Sequence, residues 1–162
     1  MILALSRTGH GAANAVEQEL DDGTQLVWEL LDDPPPDALL AAPVGVQDGW
    51  LMRHDRVDFP PGGIAYRHTH PGPGIRYLLH GRIRIEAGGE SHEYGPGEAW
   101  FELGPEPVLA TASETEETAF VRVLLLPPEW EGKRTIRYVD PADDERPKLQ
   151  RATVYLERRI TL

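Results

Sequence analysis

The sequence contains no cysteine, which excludes disulfides, thiolate metal ligands and cysteine nucleophiles. Positive charge is also scarce: 16 Lys and Arg stand against 27 Asp and Glu, so the formal net charge is -11. A surface this acidic repels phosphate backbones and anionic lipids, so we expect neither nucleic acid nor a membrane as a partner. There is no apolar run of transmembrane length and no basic segment typical of a signal peptide. We therefore expect a cytoplasmic protein.

Several sequence signatures of enzymes are missing as well. The chain has no Gly-x-Gly-x-x-Gly and no Gly-x-x-x-x-Gly-Lys-Ser/Thr loop for cradling nucleotide phosphates. It also has no Gly-x-Ser-x-Gly turn, which carries the nucleophile of many hydrolases. Nucleotide binding and nucleophilic hydrolysis are therefore unsupported.

Turn-forming residues are plentiful. The 162 residues include 16 glycines and 15 prolines, spread along the chain. This spacing favours many short strands over a helical bundle. The segment 50–127 is predicted to form a series of short strands, which is typical of a sandwich or closed barrel. The predicted strands are Trp50–Phe59, Ile64–His70, Ile75–His80, Arg82–Ala87, Glu90–Tyr94, Glu98–Leu103, Val108–Ala112 and Ala119–Leu126.

The two ends of the chain, 1–49 and 128–162, are predicted to be extensions of this core. For the first we expect a short helix, a strand and one helical turn, at Ala12–Leu20, Gln25–Leu31 and Asp37–Ala42. For the second we expect a helical turn and two strands, at Pro128–Gly132, Thr135–Val139 and Thr153–Glu157. The terminal strands either extend the barrel or pair with a second subunit, which would make a homodimer.

Two histidines form the most informative motif. His68 and His70 lie at i and i+2 on a predicted strand, so their side chains project from the same face. Two neutral imidazoles are a usual share of the ligands of a divalent metal ion. Such a pair also occurs on protein surfaces and in hydrogen-bonded cores, so the pair alone does not establish a metal site.

The residues around this pair carry a resemblance. Gly62 is followed after five residues by the two histidines, Gly81 lies at a matching interval, and Gly95-Pro96-Gly97-Glu98 opens a second motif. This pattern resembles the cupin superfamily over roughly residues 57–127, with a degenerate second motif. The resemblance implies an all-β fold: a cupin-type double-stranded β-helix, the RmlC-like jelly-roll barrel, with a few short helical turns in the terminal segments.

The resemblance also implies a metal site, but two of its four ligands are missing. Gly74 occupies the position of the family's glutamate, and no histidine lies near Pro107 or Val108. Glu102 is the predicted third ligand beside His68 and His70; alternatively it faces solvent or pairs with an interior arginine. The implied cofactor is a divalent ion of unknown identity (Fe, Mn, Zn or Ni), or no metal at all.

The parity of the strands predicts further pocket residues. Counting by twos from Gly74 places Arg76 on the interior face, where a guanidinium needs an anionic partner. That partner is either Glu102 or the carboxylate of a ligand, unless Arg76 reaches the barrel mouth. Tyr66 shares parity with the histidines and is predicted to form the pocket wall and donate a hydrogen bond. Arg53 and Asp55 share parity with other inward residues of their strand.

Two functions remain open at this stage. The resemblance implies a metal-dependent enzyme, such as an oxidoreductase (a dioxygenase) or an isomerase, acting on a small organic acid or carbonyl compound, with Arg76 and Tyr66 as catalytic residues. The alternative is a metal-free cupin that binds or senses a small anionic molecule without catalysis. Fold alone does not separate these two functions.

Overall fold

Short strands separated by glycine and proline turns make up nearly all of the regular structure. The computed structural model describes residues 1–45 and 49–161. The first strands are β1 (Ile2–Ser6), β2 (Ala15–Glu19), β3 (Gln25–Leu31), β4 (Leu40–Pro43), β5 (Trp50–Phe59), β6 (Ile64–Thr69) and β7 (Gly74–His80). They are followed by β8 (Ile83–Ala87), β9 (Glu90–Tyr94), β10 (Ala99–Glu102), β11 (Val108–Ala112), β12 (Thr118–Leu126), β13 (Arg137–Tyr138) and β14 (Arg151–Ile160). Two 3₁₀ turns, Pro128–Trp130 and Pro141–Glu145, complete the described chain.

The strands form three antiparallel sheets. The N-terminal sheet has the order β2-β3-β1-β4, the central sheet β10-β7-β12-β5-β14 and the outer sheet β13-β6-β11-β8-β9. The predicted all-β jelly-roll fold is confirmed, with the central and outer sheets facing each other as the two layers of the barrel. No helix among the described residues is long and apolar enough to cross a membrane.

Two apolar clusters hold these layers together. One lies between the N-terminal and central sheets, where Trp28 is fully buried and its Nε1 donates to the Ile75 carbonyl at 3.2 Å. The other lies between the central and outer sheets and includes Phe59, Ile85 and Phe120. The central sheet is therefore buried on both faces, which explains why every residue of β12 is buried.

A glycine at a close approach fixes the turn after β7. Gly81 has a φ of 84°, and a Cβ there would lie 2.2 Å from Thr118 Oγ1. Neither the left-handed backbone nor the space admits a side chain. The glycine that the sequence pattern singled out is therefore required by the packing of β7 against β12.

Most predicted strands are confirmed, and four of them match at both ends: β3, β5, β9 and β11. Two predicted elements are wrong. The helix at Ala12–Leu20 is replaced by β2, because the segment pairs in register with β3 over five residues. The helical turn at Asp37–Ala42 is replaced by a turn and β4, which pairs with β1. In both cases sheet pairing overrides local helix preference.

The terminal segments both contribute strands. β14 pairs with β5 at the edge of the central sheet and exposes Val154, Tyr155 and Leu156. One face of the central sheet borders the barrel interior, and the N-terminal sheet packs on its other face. That a second subunit covers either segment stays a prediction, as does the division into 1–49, 50–127 and 128–162.

Candidate functional site

A cavity of about 660 Å³ lies between the central and outer sheets. Its size is in the range of small-molecule pockets. Strand parity explains its lining, because alternate residues of β5 and β12 face inward. The predicted inward position of Arg53 and Asp55 is confirmed. Among the described residues, the buried ionisable side chains of the wall are Arg53, Asp55, His68, His70, Arg76, Glu102 and Arg122.

Arg76 is the most deeply buried of these charges, with 1% of its surface exposed. Its predicted interior position is confirmed. Nη1 donates to the Gly74 carbonyl at 3.0 Å, and Nε lies 3.1 Å from Glu102 Oε2. Neither Nε nor Nη2, however, has a hydrogen-bond partner among the described residues. Burial lowers the pKa of Arg76 to about 10, while the Glu102 carboxylate opposes this shift, so the side chain stays charged at neutral pH.

The two other buried arginines are held by carboxylates. Arg122 donates from Nε and Nη2 to Asp55 at 2.7 and 3.0 Å, a bidentate pair. Arg53 donates from Nε to Glu157 at 2.7 Å and from Nη2 to the Trp130 carbonyl at 3.0 Å. Among the three, Arg76 is the arginine with a buried N–H group, on Nη2, that has no partner among the described residues.

Glu102 belongs to the Arg76 environment. Its Oε2 accepts a hydrogen bond from Trp100 Nε1 at 2.8 Å and is the same atom that faces Arg76 Nε. Of the alternatives for this residue, the structure favours the partner of an interior arginine. The side chain lines the cavity with 9% of its surface exposed.

His68 and His70 lie side by side in the wall opposite the arginines. Their ring centroids are 4.9 Å apart and the rings are nearly perpendicular. His68 Nδ1 donates to the Tyr66 carbonyl at 2.6 Å, and His70 Nδ1 lies 2.9 Å from Thr135 Oγ1. Burial lowers the pKa of His68, and burial together with the Arg122 charge holds the pKa of His70 well below its usual value. Both rings are therefore neutral at physiological pH, the form that ligates metals or accepts hydrogen bonds.

The predicted ligand set of His68, His70 and Glu102 is not assembled as a metal site. Across residues 1–45 and 49–161, no three His, Asp or Glu side chains converge in a geometry that could hold a metal ion. One reason is that Glu102 Oε2 is already occupied by Trp100 and Arg76. The other is Gly74, where a Cβ would lie 2.5 Å from the Val123 carbonyl oxygen, so no side chain can replace the missing ligand there. The residues present fit a complete metal site poorly.

The prediction that Tyr66 lines the pocket is wrong. β6 pairs Val108 with His68 but Ala110 with Ala65, so β6 carries one extra residue between these pairs. This β-bulge reverses the parity of the strand and turns Tyr66 away from the cavity. Its hydroxyl donates to the Pro147 carbonyl at 3.2 Å, and the Arg146 guanidinium lies 4.3 Å from its ring centroid.

Sequence reasoning missed several pocket residues. Arg122 left a signal, because it is the one charge in the apolar strand β12. Thr135 and Glu157 left none, because their contacts come from tertiary packing of the C-terminal segment. Exposed Lys133, Arg134 and Arg151 complete the wall. Among the described residues, six cationic and three carboxylate side chains thus line the cavity, although the chain as a whole is strongly acidic.

Comparisons with known proteins give one family match. Residues 55–103 match a family model described as "Cupin domain". The matched segment includes His68, His70, Gly74, Arg76 and Glu102. No curated protein matches the chain.

The solved structures similar to this chain include a polyketide cyclase, an RmlC-like cupin and KdgF. The polyketide cyclase RemF from Streptomyces resistomycificus is 24% identical, with 57% of this chain and 64% of that chain covered and a TM-score of 0.46. An RmlC-like cupin from Shewanella frigidimarina is 15% identical (48% and 68% covered, TM-score 0.43). KdgF from Halomonas sp. is 22% identical (48% and 72% covered, TM-score 0.42). The chain spans less than two thirds of the length of the cyclase.

Proposed function

This chain is a member of the cupin superfamily, and we propose that its barrel pocket binds a small organic acid whose carboxylate pairs with Arg76. The observation that carries the proposal is the buried guanidinium of Arg76, whose Nη2 has no hydrogen-bond partner among the described residues while its Nε lies 3.1 Å from Glu102 Oε2. A carboxylate is the ligand group that matches the planar N–H donors of arginine.

The energetics support this choice of ligand. A buried charged group without hydrogen bonds costs free energy, and a native protein tolerates that cost where a ligand or water satisfies the group. Arg76 lines the cavity, but its Nη2 has almost no exposed surface, so a carboxylate reaches Nη2 when the side chains around it shift on binding. The excess of cationic over anionic side chains around the cavity favours a negative ligand and disfavours a positive one.

His68 and His70 add hydrogen-bonding groups to the same site. Because His68 Nδ1 donates to a backbone carbonyl, its Nε2 carries the free lone pair. Nε2 of neither histidine bonds to another residue in the described part of the chain. In the binding function, His68 Nε2 accepts a hydrogen bond from a hydroxyl group of the ligand, and His70 Nε2 accepts or donates according to its tautomer, which fixes the orientation of the ligand beside Arg76.

A second candidate function is a metal-dependent oxidoreductase or isomerase acting on a small organic acid or carbonyl compound. It is favoured by the hydrogen bond from His68 Nδ1 to a carbonyl, because metal-ligating histidines are usually oriented in this way. It requires a third ligand from outside the described arrangement, or Glu102 released from Arg76. A divalent ion bound there would act as a Lewis acid on a substrate oxygen.

Calorimetric titration with benzoate tests the first function. We expect wild-type protein to bind benzoate and Arg76→Met to bind it about 10- to 100-fold more weakly, since a hydrogen bond to a charged group contributes about 1.5–3 kcal/mol. Arg84→Met is the matched control, because Arg84 is an exposed arginine on the outer sheet. Equal affinity of the Arg76 and Arg84 variants for benzoate would contradict the proposal that Arg76 binds the carboxylate.

Metal analysis of untagged protein separates the two functions. Near-stoichiometric metal that is lost in His68→Ala, together with turnover of an organic acid, would favour the enzyme. Protein that stays metal-free after incubation with Fe²⁺, Mn²⁺, Zn²⁺ or Ni²⁺, yet still binds benzoate, would favour the metal-free function.

A further inference from the structure

The cavity is divided into a charged and an apolar half along a boundary that crosses three strands. On the central sheet, Arg76 is paired in register with Arg122, and Arg122 with Asp55. One step along the same inward face, Leu78 is paired with Phe120, and Phe120 with Val57. The charged row and the apolar row therefore lie next to each other.

The outer sheet continues the apolar half on the opposite wall. Ala110 is paired in register with Ala65 on one side and with Ile85 on the other, and all three line the cavity. No charged side chain belongs to this row. The Phe59 and Phe120 rings, 6.1 Å apart, belong to the facing wall of the central sheet. A molecule that reaches both halves meets hydrocarbon on two sides.

The size of the cavity exceeds what a two- to four-carbon acid fills. About 660 Å³ is several times the roughly 150 Å³ of an apolar cavity that accommodates benzene. A short acid seated at Arg76 would leave the apolar half in contact with water. Filling that half with hydrocarbon releases this water, which is worth about fourfold in affinity for each buried methylene.

Building on the proposed function, we propose that the ligand is an amphipathic carboxylic acid with an aromatic or alicyclic body. Its carboxylate pairs with Arg76 in the charged half. Its rings lie between the Phe59–Phe120 wall and the row of Ala65, Ala110 and Ile85. The exposed cations Lys133, Arg134 and Arg151 line the same cavity and favour the entry of an anion.

The test compares acids that share a carboxylate and differ in the size of the apolar body. Acetate, benzoate and 2-naphthoate are titrated calorimetrically into the full chain at constant pH and salt. We expect affinity to rise in that order, with 2-naphthoate binding at least 100-fold more tightly than acetate. Equal affinity for acetate and 2-naphthoate would overturn the inference while leaving the proposed function intact.

A cavity-filling variant locates the apolar body. Ala110→Leu places a larger side chain in the apolar half, at a residue remote in sequence from the charged row. We expect its affinity for 2-naphthoate to fall at least tenfold and its affinity for acetate to change less than twofold. Ala65→Val is a second variant of the same kind, used if thermal unfolding shows that Ala110→Leu does not fold.

The two failures are distinguishable. If 2-naphthoate binds equally well to wild type, Ala110→Leu and Ala65→Val, the body does not occupy the apolar half and this inference fails. If no acid binds, or if binding of every acid is unchanged in Arg76→Met, the proposed function itself fails and this inference fails with it.

Discussion

The two faces of the central sheet are equally buried and chemically opposite. The face toward the N-terminal sheet presents Ile75, Val121 and Val123, each with no exposed surface. The face toward the barrel presents Arg76 and Arg122 from the same strands, with 1% and 7% exposed. Burial alone therefore does not distinguish a residue of the apolar core from a residue of the pocket. The difference arises from the two-residue period of a strand, which assigns neighbouring residues to different environments.

The two faces also differ in what covers them. The face toward the N-terminal sheet, called the outer face, is covered by a layer of strands. The face toward the barrel interior, called the inner face, borders a cavity. There Arg53 and Arg122 are paired with carboxylates of the chain, while Arg76 has Glu102 beside Nε and no partner for Nη2 among the described residues. Perturbing the two faces separately should give different results.

The outer face should show the largest loss of stability. Trp28→Ala removes a fully buried ring from the cluster beneath the N-terminal sheet, so we expect the free energy of unfolding to fall by about 3–5 kcal/mol. Urea unfolding measures this change. Trp130→Ala, at a half-buried tryptophan, should cost less than half as much. A loss below about 1 kcal/mol for Trp28→Ala would contradict the role of that layer in the core.

The inner face should lose stability through an unpaired charge. Asp55→Ala leaves Arg122 buried without its bidentate partner, and we expect a loss of about 3 kcal/mol. Replacing both residues, in Asp55→Leu with Arg122→Met, should recover most of this loss, because no uncompensated charge remains. Urea unfolding of the single and double variants measures the difference. A double variant no more stable than Asp55→Ala would show that the pair stabilises the fold by more than mutual compensation.

Glu102 should tune the ligand affinity of the inner face with a smaller effect. Glu102→Gln keeps the shape of the side chain and removes the carboxylate that competes for Arg76, so we expect benzoate to bind about tenfold more tightly, or about 1.4 kcal/mol. Calorimetry measures this change, and Glu86→Gln on the outer sheet is the control. Weaker binding by Glu102→Gln would indicate that Glu102 holds Arg76 in its binding orientation.

The smallest effect concerns the ionisable cluster of His10, Glu29 and Asp37, which connects segments near the N-terminus. His10 Nδ1 lies 2.8 Å from Glu29 and Nε2 2.7 Å from Asp37, and these hydrogen bonds raise the pKa of His10 above its usual value. A raised pKa in the folded state stabilises the protein below about pH 6.5, and this stabilisation is lost as the pH rises through the folded-state pKa. Wild type should therefore lose stability relative to His10→Gln in urea unfolding as the pH rises above about 6.5. If the free energy of unfolding of the two proteins changed with pH in the same way, the stabilising ion pairs of His10 would be contradicted.

Much of the barrel could be predicted from the sequence, because glycine and proline mark the strand ends and strand parity marks the inward face. Arg76 follows from counting by twos from Gly74, since β7 is regular between them. The helix predicted at Ala12–Leu20 is wrong because the helix preference of this segment is weak, and its pairing with β3 decides the conformation.

The site was predictable only where the strands are regular. The bulge in β6 reverses parity between Ala65 and His68, and nothing in the sequence marks it, so Tyr66 was assigned to the wrong face. The contact between Arg76 and Glu102 joins residues of two strands whose register is set by pairing. The sequence therefore identified both residues as interior candidates but left their relation open.

A crystal structure of the protein with bound 2-naphthoate tests the central claim most directly. The proposed binding mode places a carboxylate oxygen within hydrogen-bond distance of Arg76 Nη2, about 2.7–3.2 Å, and the rings between Phe120 and Ile85. A carboxylate held only by Lys133 or Arg134 at the exposed wall, with Arg76 Nη2 still lacking a partner, would contradict it.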